Sequence, residues 1–468
     1  MLQVWSFMTR RPRVCTATPY LTALGGLALG GVVLAGCAGE GDDGADAGAE
    51  VGPATALFEV PRGAAPPSGF YALPYPNDVR VADVTSQIDL ADHPRPNDLI
   101  GLYVEAIAAE QRGFSVNAAV FARFDAAIAS DSLPATPEAS LENDASVYLV
   151  DIDPDSPRKG ARVPLRFRFE ALEGETIGTN WLAALPFPGF VLDEQTTYAL
   201  VLTDRLRAAD GSAVAAAEDF AAIVAEAVPG EAALARAQTI YQPLWDWLDE
   251  PGGDERADVI SAAVYTTQDA TSLMGKVRQV IWDSVPAPAL RDLVAHGERD
   301  NYLWFDAVYD GPNFQRGEAP YDRMTDGGEV VLDDAGLPIV QRMEELRVSF
   351  TVPMGTRPDG GWPIVIYAHG TGGSVHSFEN DHTAERMAAQ GLAAISIDQV
   401  LHPPRVPDGT SPELAFFNFQ NPLAARYNAL QGGIDDFQLV RLVREMQVDE
   451  LAPERTAPET SGSWARNG

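Results

Sequence analysis

The residues best suited to chemistry lie at the end of a short apolar run in the second half of the chain. Residues 363–368 read PIVIYA, and a glycine-rich loop with one histidine follows directly. Glycines let the backbone of such a loop approach a bound group closely, and its N–H groups can stabilise a developing negative charge. The sequence therefore predicts an oxyanion hole, with a simple glycine-rich turn as the alternative. Its residues are His369, Gly370, Thr371 and Gly372.

The segments on either side of this loop predict an α/β domain. Residues 363–368 are apolar almost throughout, as in a strand buried on both faces of a sheet. A helix-like segment, TAERMAAQ, ends before Gly391, a residue suited to a helix C-cap. LAAISID then has the composition of a second buried strand, and two shorter strands are predicted upstream in GGEVVLDDAGLP and LRVSFTVP. Strand, helix and strand in this order favour an α/β sheet with parallel strands.

These segments resemble the first half of an α/β-hydrolase. The resemblance is strongest in PIVIYAHGTGG, GLAAISIDQVLHPPR and NPLAARYNALQGGIDDFQLVRLV. With YALPYPNDVRV at residues 71–81, the chain is similar to bacterial lipoprotein lipases and esterases of the virulence-factor-lipase type, whose N-terminal domain is rich in β-strands. The resemblance covers roughly residues 58 to 448.

The resemblance implies acyl transfer to water. In this family a serine attacks the ester carbonyl, a histidine takes its proton, and an Asp or Glu orients the histidine. The loop after the third strand donates a backbone N–H to the oxyanion, which in this sequence would come from Gly370 or Thr371. The implied substrate is an ester or a lipid, and no cofactor is expected.

The catalytic residues themselves are missing from the sequence. The family's nucleophile lies in Gly-x-Ser-x-Gly, and the chain contains no such pentapeptide. Residues 409–413 lack the second glycine, and Ser374 lies in the predicted oxyanion loop. Because the triad runs Ser, acid, His, the nucleophile, acid and histidine are expected beyond residue 468. The resemblance thus implies a truncated or decayed hydrolase, inactive by itself, whose strand 363–368 is an exposed, aggregation-prone edge.

The remaining histidines of this region precede the missing nucleophile. They are His376, His382 and His402. His402 is a candidate for a place near the substrate pocket. The region has no His-x-x-x-His pair and no acidic partner at helical spacing, so no metal site is expected.

The first half of the chain predicts a β-rich domain at 58–326, with 327–448 as the first half of the hydrolase domain and 449–468 as an irregular tail. Strand-like segments at 118–124, 146–151, 161–170 and 196–203 favour an immunoglobulin-like sandwich. Helical patterns at 216–227 and 231–248 predict a helical insert, and residues 259–269 are predicted to begin as a strand and turn into a helix.

The N-terminus resembles a bacterial lipoprotein signal. A basic segment and the apolar residues 20–33 precede Leu-Ala-Gly-Cys, which predicts a signal peptide at 1–36 and lipidation of Cys37. A transmembrane helix that happens to end in cysteine is the alternative. Residues 37–57 contain acids but no base or aromatic residue before Phe58, which predicts a solvated tether. Ala38 after the cysteine favours delivery to an outer membrane.

Charge limits the possible partners. The 468-residue chain has 33 Lys and Arg against 67 Asp and Glu, a formal net charge of −34. This excess of acid argues against binding to nucleic acid phosphates. Two functions remain: an exported, lipid-anchored serine ester hydrolase, or a non-catalytic surface lipoprotein that binds a partner or polymer through its β-rich domain. The sequence does not determine the oligomeric state.

Overall fold

The computed structural model describes residues 53–63, 66–225, 227–251 and 254–446. The predicted signal segment, Cys37 and the tail at 449–468 lie outside these ranges. The strands within them are β1 (Thr55–Ala56), β2 (Val120–Arg123), β3 (Val147–Asp151), β4 (Arg162–Val163), β5 (Leu165–Glu170), β6 (Trp181–Pro186), β7 (Thr197–Thr203), β8 (Ala215–Ala216), β9 (Val259–Thr266), β10 (Arg291–Glu298), β11 (Tyr302–Asn313), β12 (Gln315–Gly317), β13 (Gly327–Val330), β14 (Arg342–Pro353), β15 (Ile364–Ile366) and β16 (Ala393–Ile397). The α-helices are α1 (Asp98–Glu110), α2 (Glu218–Val224), α3 (Ala232–Ile240), α4 (Gln242–Leu248), α5 (Ser272–Ser284), α6 (Ser377–Asn380), α7 (Thr383–Ala389), α8 (Pro412–Phe417) and α9 (Pro422–Glu445).

Two antiparallel sheets in the first part of the chain share one hydrophobic core. Their strand orders are β2-β6-β5 and β4-β3-β7-β9. Val120 and Leu182 from the first sheet pack with Leu149 and Leu200 from the second. Buried and half-buried residues alternate along β6, because successive side chains of a strand point to opposite faces. The four segments predicted as strands contain β2, β3, β4 with β5, and β7, whereas the alanine-rich β6 gave no strand signal.

Three helices cover the outer face of the four-stranded sheet. Phe220, Tyr241 and Trp245 from these helices are buried against it. The single helix predicted at 231–248 is two helices, since α3 ends at Ile240 and α4 starts at Gln242. Pro243 explains the break, because proline has no N–H for a continuous helix but fits the first turn of a new one.

The YPND residues join this sheet to its helices. The peptide bond between Tyr75 and Pro76 is cis. Asn77 is buried and donates a hydrogen bond to the hydroxyl of Tyr241 at 2.7 Å. The Asp78 carboxylate accepts one hydrogen bond from the backbone N–H of Thr266 and another from its hydroxyl. Within the described ranges, these contacts give the element a structural role.

The ordered structure begins earlier than predicted. β1 pairs in parallel with β8, and Ala54 and Ala56 are buried. The predicted tether at 37–57 therefore includes residues that belong to the core. Their alanines carry little apolar surface, so composition alone did not indicate burial.

A separate five-stranded sheet leads into the predicted oxyanion loop, which follows its edge strand β15. Its strand order is β10-β11-β14-β16-β15. Neighbouring strands are antiparallel except β15 and β16, which are parallel and connected through α6 and α7. β10 and β11 lie before the boundary predicted at residue 327, yet they pair with each other and with β14. This part of the fold therefore starts near residue 290.

α9 covers one face of the five-stranded sheet. Its residues Leu439 and Leu442 pack on Val348, Phe350 and Ile395. The opposite face is covered by α6 and α7, whose Phe378 and Ala384 pack with Ala394. The sheet therefore lies between two helical layers over its central strands.

α9 also binds backbone groups with buried polar side chains. Gln431 accepts a hydrogen bond from the N–H of Phe314 and donates one to the carbonyl of Pro312, each at 3.0 Å. Arg441 donates to the carbonyl of Ile281 at 2.7 Å. These bonds satisfy groups at the ends of α5 and β11 that would otherwise be buried without a partner.

β15 is shorter than the predicted strand and lies at the edge of its sheet. Only residues 364–366 of the apolar run 363–368 form a strand, and all three are half-buried. Within the described ranges, β16 is its one neighbour in the sheet. A strand at an edge is covered less completely than a central one, so the expectation of burial on both faces is wrong for this strand.

The edge position of β15 gives a prediction for hydrogen exchange. The N–H of Tyr367 donates to the carbonyl of Ile395 at 2.8 Å. Strand N–H groups alternate in direction, so those of Ile364 and Ile366 face away from β16. We expect slow amide exchange at Val365 and Tyr367 and fast exchange at Ile364 and Ile366 in the monomer. Mass spectrometry with fragmentation to single residues would measure this, and protection of Ile366 equal to that of Tyr367 would contradict the edge assignment.

Candidate oxyanion site

The loop after β15 contains a tight turn that requires glycine. The N–H of Gly373 donates to the carbonyl of Gly370 at 2.9 Å. Gly372 has φ +84°, the value for the third position of a type II turn. A side chain there would be strained, and its Cβ would lie 2.8 Å from Oε1 of Glu413. Gly372 thus has a geometric reason to be glycine.

His369 holds the loop through both ring nitrogens. Its Nε2 accepts a hydrogen bond from the N–H of Gln399 at 3.0 Å. Nδ1 must then carry the proton, and it donates to the carbonyl of Gly370 at 2.9 Å. The ring is buried, with 6% of its surface exposed. Burial is the main cause that lowers the pKa of His369, and the neighbouring His402 lowers it further, so the ring is neutral near pH 7.

His402, in the loop after β16, also holds the oxyanion loop through both ring nitrogens. Its Nε2 accepts the N–H of Gly372 at 3.0 Å, and its Nδ1 donates to the carbonyl of Val400 at 3.0 Å. The rings of His402 and His369 meet edge to face with centroids 4.8 Å apart. The sequence placed His402 near a substrate pocket; the structure places it against the predicted oxyanion loop.

The four predicted oxyanion residues therefore differ in the hydrogen-bond donors that they leave unbonded. His369 supports the loop with its side chain, and the N–H of Gly372 is already bonded to His402. In the described part of the chain, the N–H groups of Gly370 and Thr371 have no hydrogen-bond acceptor, and both residues are exposed. Gly370 has open space beside its backbone. These two N–H groups are the donors available to a bound anion.

The far end of the loop is fixed by a buried carboxylate. Asp398 follows β16, and its Oδ1 accepts the N–H of Val375 at 2.9 Å. Its Oδ2 accepts a hydrogen bond from Nε of Arg347 at 2.6 Å. The paired guanidinium compensates the buried charge of Asp398. The loop is thus attached to β16 at both ends.

A second polar cluster lies on β10, β11 and the start of α6. Oδ2 of Asp306 lies 2.8 Å from Nε2 of His296 and 3.0 Å from Nε2 of His376. The indole of Trp304 stacks on His296 with centroids 4.1 Å apart. The sequence singled out His376 but not its partners. Neither β10 nor β11 was predicted as a strand, so His296, Trp304 and Asp306 were not singled out.

Glu379 connects this cluster to the sheet interior. The Ser349 hydroxyl donates to Oε1 of Glu379 at 2.7 Å and accepts a hydrogen bond from Nε1 of Trp304 at 2.8 Å. Burial raises the pKa of Glu379 to about 7, and the charge of Asp306 adds to this effect. Glu379 therefore titrates near neutral pH, on α6, which follows the oxyanion loop in the chain.

The candidates Ser374, Ser411 and His382 form no catalytic pair. Ser374 Oγ accepts the N–H of His376 at 3.4 Å, and Ser411 Oγ binds Glu413 and caps α8. His382 is exposed and lies 3.4 Å from Glu385. In the part of the chain that the structure describes, no serine hydroxyl is hydrogen-bonded to a histidine ring. In the same part, no group of three or more His, Cys, Asp or Glu residues could hold a metal ion.

Comparisons with known proteins give little guidance. No protein-family model and no curated protein matches the chain. Among solved structures it is similar to an acetyl xylan esterase from Paenibacillus sp. R4, with a TM-score of 0.19 and 18% identity. The match covers 30% of this chain and 35% of that enzyme, so the chain spans about a third of its length. At this TM-score the likeness does not establish a shared fold.

The structure also bears on membrane attachment. Among the described helices, none has both the length and the apolar character to cross a bilayer.

Glu379 gives a prediction for stability against pH. Its pKa in the folded protein, about 7, is higher than that of a solvated glutamate near 4.3. Its contribution to stability is therefore complete below pH ~4.3 and is lost as the pH rises through about 7. We expect Glu379→Gln, which stays uncharged, to unfold in urea like the wild type at pH 4, where the glutamate is protonated in both the folded and the unfolded protein. At pH 8 it should be more stable by roughly 1 kcal/mol, allowing for solvent screening.

The matched control is Glu385→Gln, which removes the same charge from an exposed position on α7. Its unfolding free energy should differ little from that of the wild type at both values of pH. Equal behaviour of the two variants at pH 8 would show that Glu379 is not held in an unfavourable charged state.

Proposed function

We propose that the chain acts in the hydrolysis of carboxylic esters by a serine nucleophile, with the N–H groups of Gly370 and Thr371 as the oxyanion hole. The observation that carries the proposal is the pair of exposed, unbonded N–H groups on a loop fixed by two buried imidazoles. The parallel pairing of β15 and β16, with helices between them, supports an α/β-hydrolase arrangement of this part of the chain.

The chemistry follows from where charge develops. Attack of a serine oxygen on the ester carbonyl moves an electron pair onto the carbonyl oxygen, and this oxyanion then accepts hydrogen bonds from Gly370 and Thr371. Donors held in place before the reaction need no reorganisation, and loss of one costs about 3 kcal/mol in the transition state. The described residues contain no Ser–His pair, so the proposal gives them this electrostatic role and not that of the nucleophile.

The proposed location rests on the sequence. Leu-Ala-Gly-Cys at residues 34–37 supports export and a lipid anchor on Cys37, and Ala38 supports an outer membrane. Several acyl chains on one cysteine hold a protein stably at a bilayer. An anchored enzyme of this kind would meet ester or lipid substrates at the cell envelope.

A second candidate is a surface lipoprotein without catalytic activity, which binds a partner or polymer through its β-rich domain. The observation that favours it is the lack of a serine bonded to a histidine anywhere in the described ranges. Under this proposal the loop at Gly370 is a structural turn, and neither ester turnover nor reaction with serine-directed reagents is expected.

Activity-based labelling separates the two candidates. We expect the protein isolated from its natural source to react with a fluorophosphonate and to hydrolyse p-nitrophenyl butyrate, with peptide mapping identifying the labelled serine. Thr371→Pro removes one N–H donor and should lower kcat by about 10²- to 10³-fold. Thr371→Val retains the N–H and a β-branched side chain and should stay within about threefold of the wild type, well below that loss.

Two results would contradict parts of the hydrolase proposal. A folded protein that gives neither label nor turnover would overturn the hydrolase proposal and leave the binding lipoprotein. Turnover that is unchanged in Thr371→Pro would retain a hydrolase but remove this loop from its mechanism.

A further inference from the structure

A buried arginine connects the loop that carries His402 to two other elements of the fold. Arg405 lies three residues after His402, and its backbone N–H donates to the carbonyl of His402 at 2.8 Å. Its side chain is 5% exposed. Nη1 donates to Oδ2 of Asp435 on α9 at 2.6 Å, and Nη2 donates to Oε2 of Glu344 on β14 at 3.0 Å. One guanidinium therefore ties the loop after β16 to a helix and to a neighbouring strand.

The same guanidinium also fixes the start of this loop. Nη1 of Arg405 donates to the backbone carbonyl of Asp398 at 3.1 Å. The carboxylate of Asp398 in turn accepts the N–H of Val375, at the far end of the oxyanion loop. Between Asp398 and Arg405, the N–H of His402 donates to the carbonyl of Gln399 at 3.1 Å. His402 therefore lies between two backbone positions that Arg405 joins.

The two carboxylates that bind Arg405 are themselves held in place. Oδ1 of Asp435 accepts a hydrogen bond from Nε2 of Gln431 at 2.8 Å, and Oε1 of Glu344 accepts one from Nδ2 of Asn313 at 2.7 Å. Burial alone would raise the pKa of Glu344. The positive charge of Arg405 is the main opposing cause, and the pKa of Glu344 is lowered overall, so this carboxylate is ionised near pH 7. Arg405 thus binds acceptors whose positions are fixed.

The contribution of this ion-pair cluster is direction more than stability. Taking charges out of water can cost as much as their attraction returns, so apolar contacts could hold the loop equally well. Apolar side chains on either side of His402 already pack in a core with Tyr321. Such contacts have no preferred angle, whereas a planar guanidinium binds its acceptors in a fixed geometry. Arg405 is therefore suited to set the angle at which His402 meets Gly372.

We propose that Arg405 is a positioning residue of the candidate oxyanion site. It holds His402 so that Nε2 accepts the N–H of Gly372, which leaves the N–H groups of Gly370 and Thr371 to the ligand. This inference rests on the proposed function and adds a residue that acts through His402 without contacting the ligand. Lysine would keep the charge but lacks the planar fork that reaches both carboxylates and the carbonyl together.

The test uses the imidazoles and amides of the full chain. The sequence has six histidines, so nitrogen-15 NMR of the histidine-labelled protein can resolve each ring. In the wild type we expect the proton of His402 on Nδ1, as its contacts require. In Arg405→Lys the Nε2–H form should appear, and the amide of Gly372 should exchange about tenfold faster, as for loss of one hydrogen bond. The amide of Tyr367, bonded to β16 within the sheet, should keep its wild-type rate.

The matched control is Arg441→Lys, which alters a second buried arginine that donates to backbone carbonyls after α9 packs on α5. The His402 tautomer and the exchange of Gly372 should stay as in the wild type. An equal change of His402 in both variants would overturn the proposal, because it would show a general loss of stability. Equal acceleration of Gly372 and Tyr367 in Arg405→Lys would overturn it for the same reason.

A second variant keeps the proposal testable if Arg405→Lys does not fold. Glu344→Gln retains the shape of the side chain and removes one of the two negative partners. We expect the amide of Gly372 to exchange about threefold faster in this variant, because the remaining bond to the amide oxygen is weaker, while Tyr367 is unchanged. An unaltered rate at Gly372 would overturn the role of Arg405.

Hydrolysis separates this inference from the proposed function. In Arg405→Lys, kcat for p-nitrophenyl butyrate should fall about tenfold with KM within about twofold, because the oxyanion charge is complete only in the transition state. A wild-type protein that cleaves no ester, with His402 altered in the variant as expected, would keep the positioning role and overturn the hydrolase. Turnover in the wild type with His402 and Gly372 unaltered in the variant would overturn the role of Arg405 alone.

Discussion

The candidate site depends on two imidazole rings that accept backbone N–H groups. His369 accepts from Gln399, and His402 accepts from Gly372. Each ring nitrogen can accept only while it carries no proton, so both contacts exist only with neutral rings. Together they join the loops that follow two adjacent parallel strands. If the ring of His369 were protonated, its contact with Gln399 would become a repulsion between two N–H groups.

This pair also determines which donors remain for a ligand. Because His402 takes the N–H of Gly372, the open donors are confined to Gly370 and Thr371. Contacts within the protein hold the loop in this conformation, and donors fixed in this way are the condition for electrostatic preorganisation. Of the charged groups nearby, Asp398 is paired with Arg347, whereas the exposed carboxylate of Glu413 lies beside Gly372. The two unbonded N–H groups therefore present partial positive charge next to a carboxylate.

The sequence indicated where the glycine-rich loop lies, but not how the loop is held. An apolar strand followed by glycines indicates a strand end with exposed N–H groups, because that inference needs only neighbouring residues. The role of His402 depends on a contact across 30 positions, which periodicity does not encode. β10 and β11 were missed although β11 has only two charged residues, Asp306 and Asp310, and the contacts of Asp306 were missed with them. The split of the helix at 231–248 was in principle readable from Pro243.

The polar face of α9 has a consequence for the order in which the protein folds. Gln431 and Pro312 are 119 residues apart in sequence, and Arg441 and Ile281 are 160 apart. Tyr427 contacts Glu110 across 317 residues. Contacts of such high sequence separation form late and slow folding. During synthesis, the face of the five-stranded sheet that α9 covers therefore stays exposed until the ribosome has released residue 445. That interval, more than any weakness of the finished structure, is when this chain is most open to aggregation.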